Sequence, residues 1–250
     1  MRVNDRVGEG ISDVLVAHEP VAADPARPLI ELAGVEKVYR TGKLEYPALR
    51  GIDLSIADGD MVAIVGPSGS GKSTIMNMIT GIDRPTAGTV TVRGERVDQM
   101  SEEELAIWRG KHVGVVFQFF QLLPTLTALE NAMLPLDFAR RGSKRERRER
   151  ALQNLELVGI PELADHLPSE MSGGQQQRVA IARALASYPT LVIGDEPTGN
   201  LDTVTAGEMF ELLARVCEEG ATVLYVTHDL ELAKRAHRVV TIRDGLVVDE

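Results

Sequence analysis

Two glycine-rich stretches of this 250-residue chain have the composition to hold a phosphate. The first, GPSGSGKST, covers Gly66, Pro67, Ser68, Gly69, Ser70, Gly71, Lys72, Ser73 and Thr74 and fits the spacing G-x-x-x-x-G-K-[ST]. Its glycines let backbone N–H groups curl around phosphate oxygens with no Cβ in the way. The start of the following helix adds partial positive charge, worth up to ~2 kcal/mol in a partly buried geometry. Lys72 supplies a point charge for β- and γ-phosphates, and Ser73 a hydroxyl for Mg²⁺. The competing reading is a plain glycine turn before a helix. The second stretch, MSGGQQQRVAIARAL, runs from Met171 to Leu185. Ser172 and Gln175 match a capping box, so a well-capped helix accounts for them. Gly173 and Gly174 add something further, because they bare N–H groups to an anion.

Carboxylates and polar side chains follow apolar runs elsewhere. LVIGDEPTGNLD ends an apolar run on Asp195 and Glu196. In a parallel sheet the carboxyl ends of buried strands are where ligands bind. Asp195 is the expected Mg²⁺ partner, acting through water, because Mg²⁺ keeps several waters and few protein ligands. Glu196 is the expected base that orients and deprotonates the attacking water. Alone, the pair would read as surface acids at a capped strand end; beside the phosphate loop the catalytic reading prevails. His228 in VTHDL and Gln118 in VVFQFFQLLP also follow apolar runs. The first is placed to touch a γ-phosphate, the second to reach Mg²⁺ or the water. Tyr39 in EKVYRTG is either a base-stacking ring, worth ~1–3 kcal/mol, or a half-buried strand residue.

The elements that must position these residues alternate between short β-branched runs and helical stretches, the mark of an α/β domain. PLIELAGVEKVYR and LRGIDLSIADGDMVAIVG read as early strands with a turn at Asp58–Gly59, and AGTVTVRGERV as a strand pair. VGVVF, TLVIGD and ATVLYVTH read as buried strands of a parallel sheet. RVVTIRDGLVVD reads as a hairpin through Asp244–Gly245. MVAIVG before the first glycine loop and STIMNMITGI after it supply the strand–loop–helix order that a phosphate loop needs. The basic run Arg140–Arg150, which holds Glu146 and Glu149, reads as a solvated helix start with intrahelical charge pairs; attraction to anionic lipid is the alternative. Residues 1–28 read as a flexible, Ala/Pro-rich extension.

Bulk composition narrows the function. The formal net charge of −10 argues against non-specific nucleic-acid binding. Cys217 is the only cysteine, so no internal disulfide or cysteine-cluster zinc site is possible. No stretch approaches the ~18 uninterrupted apolar residues of a membrane span. The first twenty residues carry acids and glycines where a secretory leader has its apolar core. The chain is therefore expected to stay in the cytoplasm.

In order, the chain shows an aromatic residue, a phosphate loop, a glutamine loop, an SGGQ segment, an acid-tipped strand and a histidine. That series resembles the nucleotide-binding domain of ATP-binding cassette (ABC) proteins, over about residues 29–250. The resemblance implies a P-loop NTPase with a RecA-like core sheet, an antiparallel β-subdomain and a helical subdomain at about 119–185. It implies ATP and Mg²⁺ as cofactors and a head-to-tail dimer with a second copy. Ser172, Gly173, Gly174 and Gln175 would then touch the ATP held by the partner's loop, and GNLD, the family's D-loop, would place Asp202 at the seam. Met171 departs from the usual Leu and Gly194 from a larger apolar residue. QLLPTLTALENAMLP and DEPTGNLD are similar to one subgroup, the ATPases of lipoprotein release, macrolide export and the FtsE–FtsX pair. That subgroup implies integral membrane permease subunits as partners and a peripheral place on the inner face of the cell membrane. Part of Phe119–Pro135 would receive a permease helix; subdomain core is the alternative for it. Two other functions stay open: a non-transporting, FtsE-like transmitter of force or signal, and a soluble ABC ATPase on nucleic acid. The single cassette, the absence of a long coiled coil and the acidic charge count against the last.

Overall fold

The structure, a computed structural model, describes residues 28–199 and 201–249, so all of the 1–28 extension except Pro28 lies outside the described residues. The chain divides into two compact units, residues 28–109 with 224–249, and residues 110–223.

The first unit opens with β1 (Ile30–Thr41) and β2 (Leu44–Ile56), an antiparallel pair turning at Gly42. The sequence places the second strand's start at Leu49; the structure extends it back to Leu44, through Pro47. A proline inside a strand is tolerated on an edge, and the sheet order β2-β1, followed by β4 (Ala87–Val92) and β5 (Glu95–Arg96), puts β2 on that edge. Between these elements lie β3 (Met61–Val65), buried at every residue, and α1 (Lys72–Ile79). Asp98 anchors this sheet. Burial alone would raise its carboxyl's pKa, but bonds from Arg96 (2.6 Å) and the Val90 N–H outweigh that and hold it below the usual carboxylate range. Helix α2 (Glu102–His112) follows.

The second unit pairs β6 (Val113–Val116) in parallel with β7 (Leu191–Asp195), in register Val113 with Leu191 and Val116 with Gly194. Between them in sequence come α3 (Ala128–Phe138), α4 (Lys144–Leu157) and α5 (Gly173–Leu185), which pack on one another. Each starts with a capping box: Thr127 with Glu130, Ser143 with Glu146, and Ser172 with Gln175. Small residues let them approach; Ala132, Ala151, Ala180 and Ala182 are all fully buried. Helix α6 (Thr203–Glu218) and the first residues of β8 (Thr222–Val226) close this unit. The chain then returns to the first unit with α7 (Leu230–Ala233), β9 (Arg238–Arg243) and β10 (Leu246–Asp249). There β9 runs parallel to β3, and β9–β10 form the expected hairpin through Asp244–Gly245.

The basic run departs from its solvated reading most at Arg150, while Arg141 and Arg147 are half-buried against Ser187 and Asp137. Lys144, Arg145 and Arg148 are exposed, and Arg145 pairs with Glu149 one turn on at 2.8 Å. Arg150 is buried, with its guanidinium 3.3 Å from the centroid of the Tyr188 ring. Burial pulls that guanidinium's pKa down to about 10, against the opposing pull of Tyr188.

Candidate functional site

The phosphate loop lies in the first unit and is shaped by backbone crowding. Buried β3 delivers the chain to Gly66, whose φ is 151°; a Cβ there would sit 2.0 Å from the Ile242 carbonyl oxygen. Gly71, the residue before α1, has φ 111°, and a Cβ would meet the Ala48 carbonyl oxygen at 2.7 Å. Only glycine satisfies both constraints at these two positions. From behind, the Gly245 N–H donates to the Ser70 carbonyl at 3.0 Å, and the Tyr46 hydroxyl donates to the Gly69 carbonyl at 3.0 Å. The ammonium of Lys72, largely buried, donates to the carbonyls of Gly66 (2.8 Å) and Pro67 (2.9 Å). An ammonium carries three donors, so this geometry braces the loop and keeps one N–H in reserve.

The residues fit a triphosphate. No side chain caps the start of α1, so its first N–H groups are offered by the backbone itself. The hydroxyl of Ser70 is buried and makes no hydrogen bond among the described residues. The side chains expected to meet Mg²⁺, those of Ser73, Gln118 and Asp195, all offer oxygen donors, the chemistry that ion takes. Among the described residues no cluster of three or more His, Cys, Asp or Glu side chains could hold a metal.

Tyr39 and His228 belong to the same unit. Tyr39 is about one-third exposed, and the Lys37 ammonium lies 4.9 Å from its ring centroid. Burial and the nearby Asp83 raise its hydroxyl pKa, while a hydrogen bond with Thr74 of the phosphate loop opposes them. Sequence reasoning missed its neighbour: Tyr46 is the direct cross-strand partner of Tyr39 and touches the same loop. The signal was present in YRTGKLEY, where a glycine turn sets the two rings opposite each other. His228 is exposed and follows Thr227, whose N–H donates to the Ile64 carbonyl of β3 at 3.2 Å. The strand bearing the phosphate loop therefore fixes the backbone beside His228.

The second unit holds Gln118, Ser172–Gln175, Asp195, Glu196 and Asp202. Asp195 ends β7 and Glu196 follows it with φ 46°. That left-handed backbone costs a residue with a side chain of order 1–3 kcal/mol, and it persists only where the surroundings enforce it. Gln118, just beyond β6, donates from Nε2 to Glu196 Oε2 at 3.1 Å. The structure thus brings together the two residues read from separate apolar runs. Gly194 has a concrete role here, because the Pro197 ring fills the space a larger residue would need, 2.9 Å from a built Cβ.

At the start of α5, Ser172 accepts from the Gln175 N–H at 3.3 Å, and Gln175 Oε1 accepts from the Ser172 N–H at 2.8 Å. Gly174 lies against Thr205, with a built Cβ 3.0 Å from its methyl group. Thr205 is itself held by Asp202, which caps α6 by accepting from the N–H groups of Val204 and Thr205, both at 3.1 Å, and from the Thr205 hydroxyl at 2.7 Å. Those bonds lower the Asp202 carboxyl pKa. Two segments linked only by resemblance at the sequence level, Ser172–Gln175 and Asp202, are thus joined through Thr205.

Among the described residues no helix is long and apolar enough to cross a membrane. Residues 49–199 match the family described as ABC transporter. The lipoprotein-releasing system ATP-binding protein LolD of Anaeromyxobacter dehalogenans is 47% identical over 92% of this chain and 95% of its own length. The macrolide export ATP-binding/permease protein MacB of Syntrophobacter fumaroxidans is 48% identical over 89% of this chain, which spans 31% of that larger protein. The backbone resembles the dimeric, post-hydrolysis structure of the ATP-binding cassette MJ0796 bound to ADP and Pi. Its TM-score is 0.83 at 44% identity, covering 88% of this chain and 97% of that one.

Proposed function

This chain belongs to the ABC transporter family as an ATP-binding cassette ATPase, and from that premise we propose that two copies clasp ATP head to tail to drive a separate membrane permease. The observation that carries the proposal is the open start of α1: two glycines crowded by backbone, a lysine closing the loop and no side-chain cap. The dimeric relative bound to ADP and Pi supports pairing. The names LolD and MacB support a partner of the lipoprotein-release or macrolide-export type; an FtsX-like partner and a place on the inner face of the membrane belong to the same proposal. Phe119 and Leu123, both exposed, support Phe119–Pro135 as the place where a permease helix docks.

Within each copy, the loop Gly66–Thr74 binds the phosphates with its N–H groups, and Lys72 neutralises the charge that develops as the γ-phosphate leaves. Ser73, Gln118 and Asp195, with water, would hold Mg²⁺, which supplies Lewis-acid stabilisation of phosphate oxygens. Glu196, its carboxylate held by the Gln118 amide at Oε2, takes a proton from the attacking water. The enforced backbone at Glu196 fixes the direction of that carboxylate. His228 contacts the γ-phosphate, and Tyr39 stacks on the base. Ser172, Gly173, Gly174 and Gln175 meet the nucleotide of the neighbouring copy, with Asp202 at the seam. Losing the γ-phosphate loosens the pair, so hydrolysis becomes motion by shifting a population between closed and open forms.

Replacing Glu196 by Gln tests the proposal. ATP binding should persist, turnover should fall by ~10²–10⁴-fold as expected for loss of a general base, and light scattering should show an ATP-dependent dimer. Wild-type turnover by this variant would sink the assignment. The permease arm is tested by co-purification from membranes, and stimulation of turnover by DNA or RNA instead would overturn it.

A further inference from the structure

We infer that Gln177 is a positioning residue for hydrolysis: its side-chain amide ties α5 to the turn that aims Glu196 of the same chain. Gln177 is fully buried, two residues beyond the Ser172–Gln175 segment and on the same rigid helix. Burying an amide costs free energy unless its hydrogen bonds are made. Here the Nε2 group donates to the Pro197 carbonyl, while Oε1 has no partner among the described residues. The donor is therefore the half of the amide that is used.

That donor lands at a sensitive point. Pro197 is the first central residue of a tight turn closed by the Gly199 N–H donating to the Glu196 carbonyl at 3.0 Å. A residue before proline prefers extended backbone, yet Glu196 is left-handed. The turn is held in this disfavoured form from two sides, by the Pro197 ring seated on Gly194 and by Gln177 gripping the Pro197 carbonyl. Releasing the grip lets Glu196 relax and its carboxylate swing away from Gln118. Because α5 moves as one body, a displacement at Ser172–Gln175 reaches Pro197 through a single side chain. On the reading that this segment meets the neighbouring copy's nucleotide, seating one ATP sets the base that acts on the other.

The test uses the full chain with Mg-ATP. Gln177→Met keeps the length and removes the donor. It should lower kcat at least tenfold and leave KM for ATP within twofold, and in a Glu196→Gln background it should still form the ATP-dependent dimer. Gln177→Glu should be equally impaired at pH 8. Its turnover relative to wild type should rise severalfold towards pH 6, where a protonated carboxyl again donates an O–H to the Pro197 carbonyl. The inference is overturned by wild-type kcat in Gln177→Met, by loss of dimer formation together with turnover, or by a Gln177→Glu ratio flat in pH. Failure of the underlying reading is visible without any Gln177 variant, as unimpaired hydrolysis by Glu196→Gln alone.

Discussion

Helices α1 and α5 both begin at glycines, and they differ in what satisfies their first N–H groups. Helix α1 starts after Gly71 in a left-handed conformation with no side-chain cap, and its loop is braced by Lys72. Helix α5 starts after Ser172 in ordinary extended backbone, and Ser172 and Gln175 exchange hydrogen bonds. An uncapped start keeps its donors for a ligand and relies on the surrounding fold to stay helical. A capped start is stable alone and has fewer donors left to give. The first is built to grip a polyanion unaided. The second is suited to touching one that something else already holds, which is the division of labour that the proposed shared nucleotide requires.

Five substitutions break or sharpen that contrast. Lys72→Ala removes the charge from the self-sufficient start. Hydrogen bonds to charged groups are worth ~1.5–3 kcal/mol, so ATP affinity by equilibrium titration should fall ~10–100-fold, and unchanged affinity would refute the loop's role. Exchanging glycine for alanine separates the two starts directly. Gly71→Ala meets the Ala48 carbonyl and a disfavoured φ, and should cost of order 1–3 kcal/mol in denaturant unfolding together with ATP binding. Gly173→Ala has ordinary backbone and a nearest neighbour at 3.7 Å, so it should fold as wild type and bind ATP as a monomer; equal damage at both sites would erase the distinction.

Ser172→Ala takes away the cap of α5 and should cost ~1 kcal/mol of stability with ATP binding by the monomer unchanged. The smallest effect concerns the Asp-capped start of α6. The folded-state pKa of Asp202 is lowered by Thr205. Its contribution is therefore complete above the ordinary carboxylate range of about 3.9 and is lost as pH falls through the lower folded value. The stability difference between wild type and Asp202→Ala should be constant from neutral pH to about 5 and shrink only below the ordinary carboxylate range. A difference that shrinks well above that range would contradict the bonding seen at Thr205.

Much of this molecule was legible in its sequence because local rules governed the legible parts. The phosphate loop, the capping box at Ser172, the acid-tipped strand and the Asp244–Gly245 hairpin each follow from residues within a few positions of one another. What escaped was decided by partners far along the chain. Arg150 reads as one more solvated base until Tyr188 covers its guanidinium. Gln177 reads as an ordinary polar helix residue until the Pro197 carbonyl meets it. The left-handed backbone of Glu196 has no local signal at all, since a following proline argues for extended chain. Tyr46 was within reach of sequence reasoning, but only if the second strand was begun before Pro47.

The nucleotide grip is completed by residues far along the chain from the loop itself: Ile242 crowds Gly66, and the Gly245 amide holds Ser70. On a translating ribosome the loop emerges long before its brace, and such long-range contacts form only once both partners exist. Nascent chains arrested short of residue 242 should pass over immobilised ATP, and chains released after it should be retained. Synthesis itself thereby withholds nucleotide capture until the distant brace has been made.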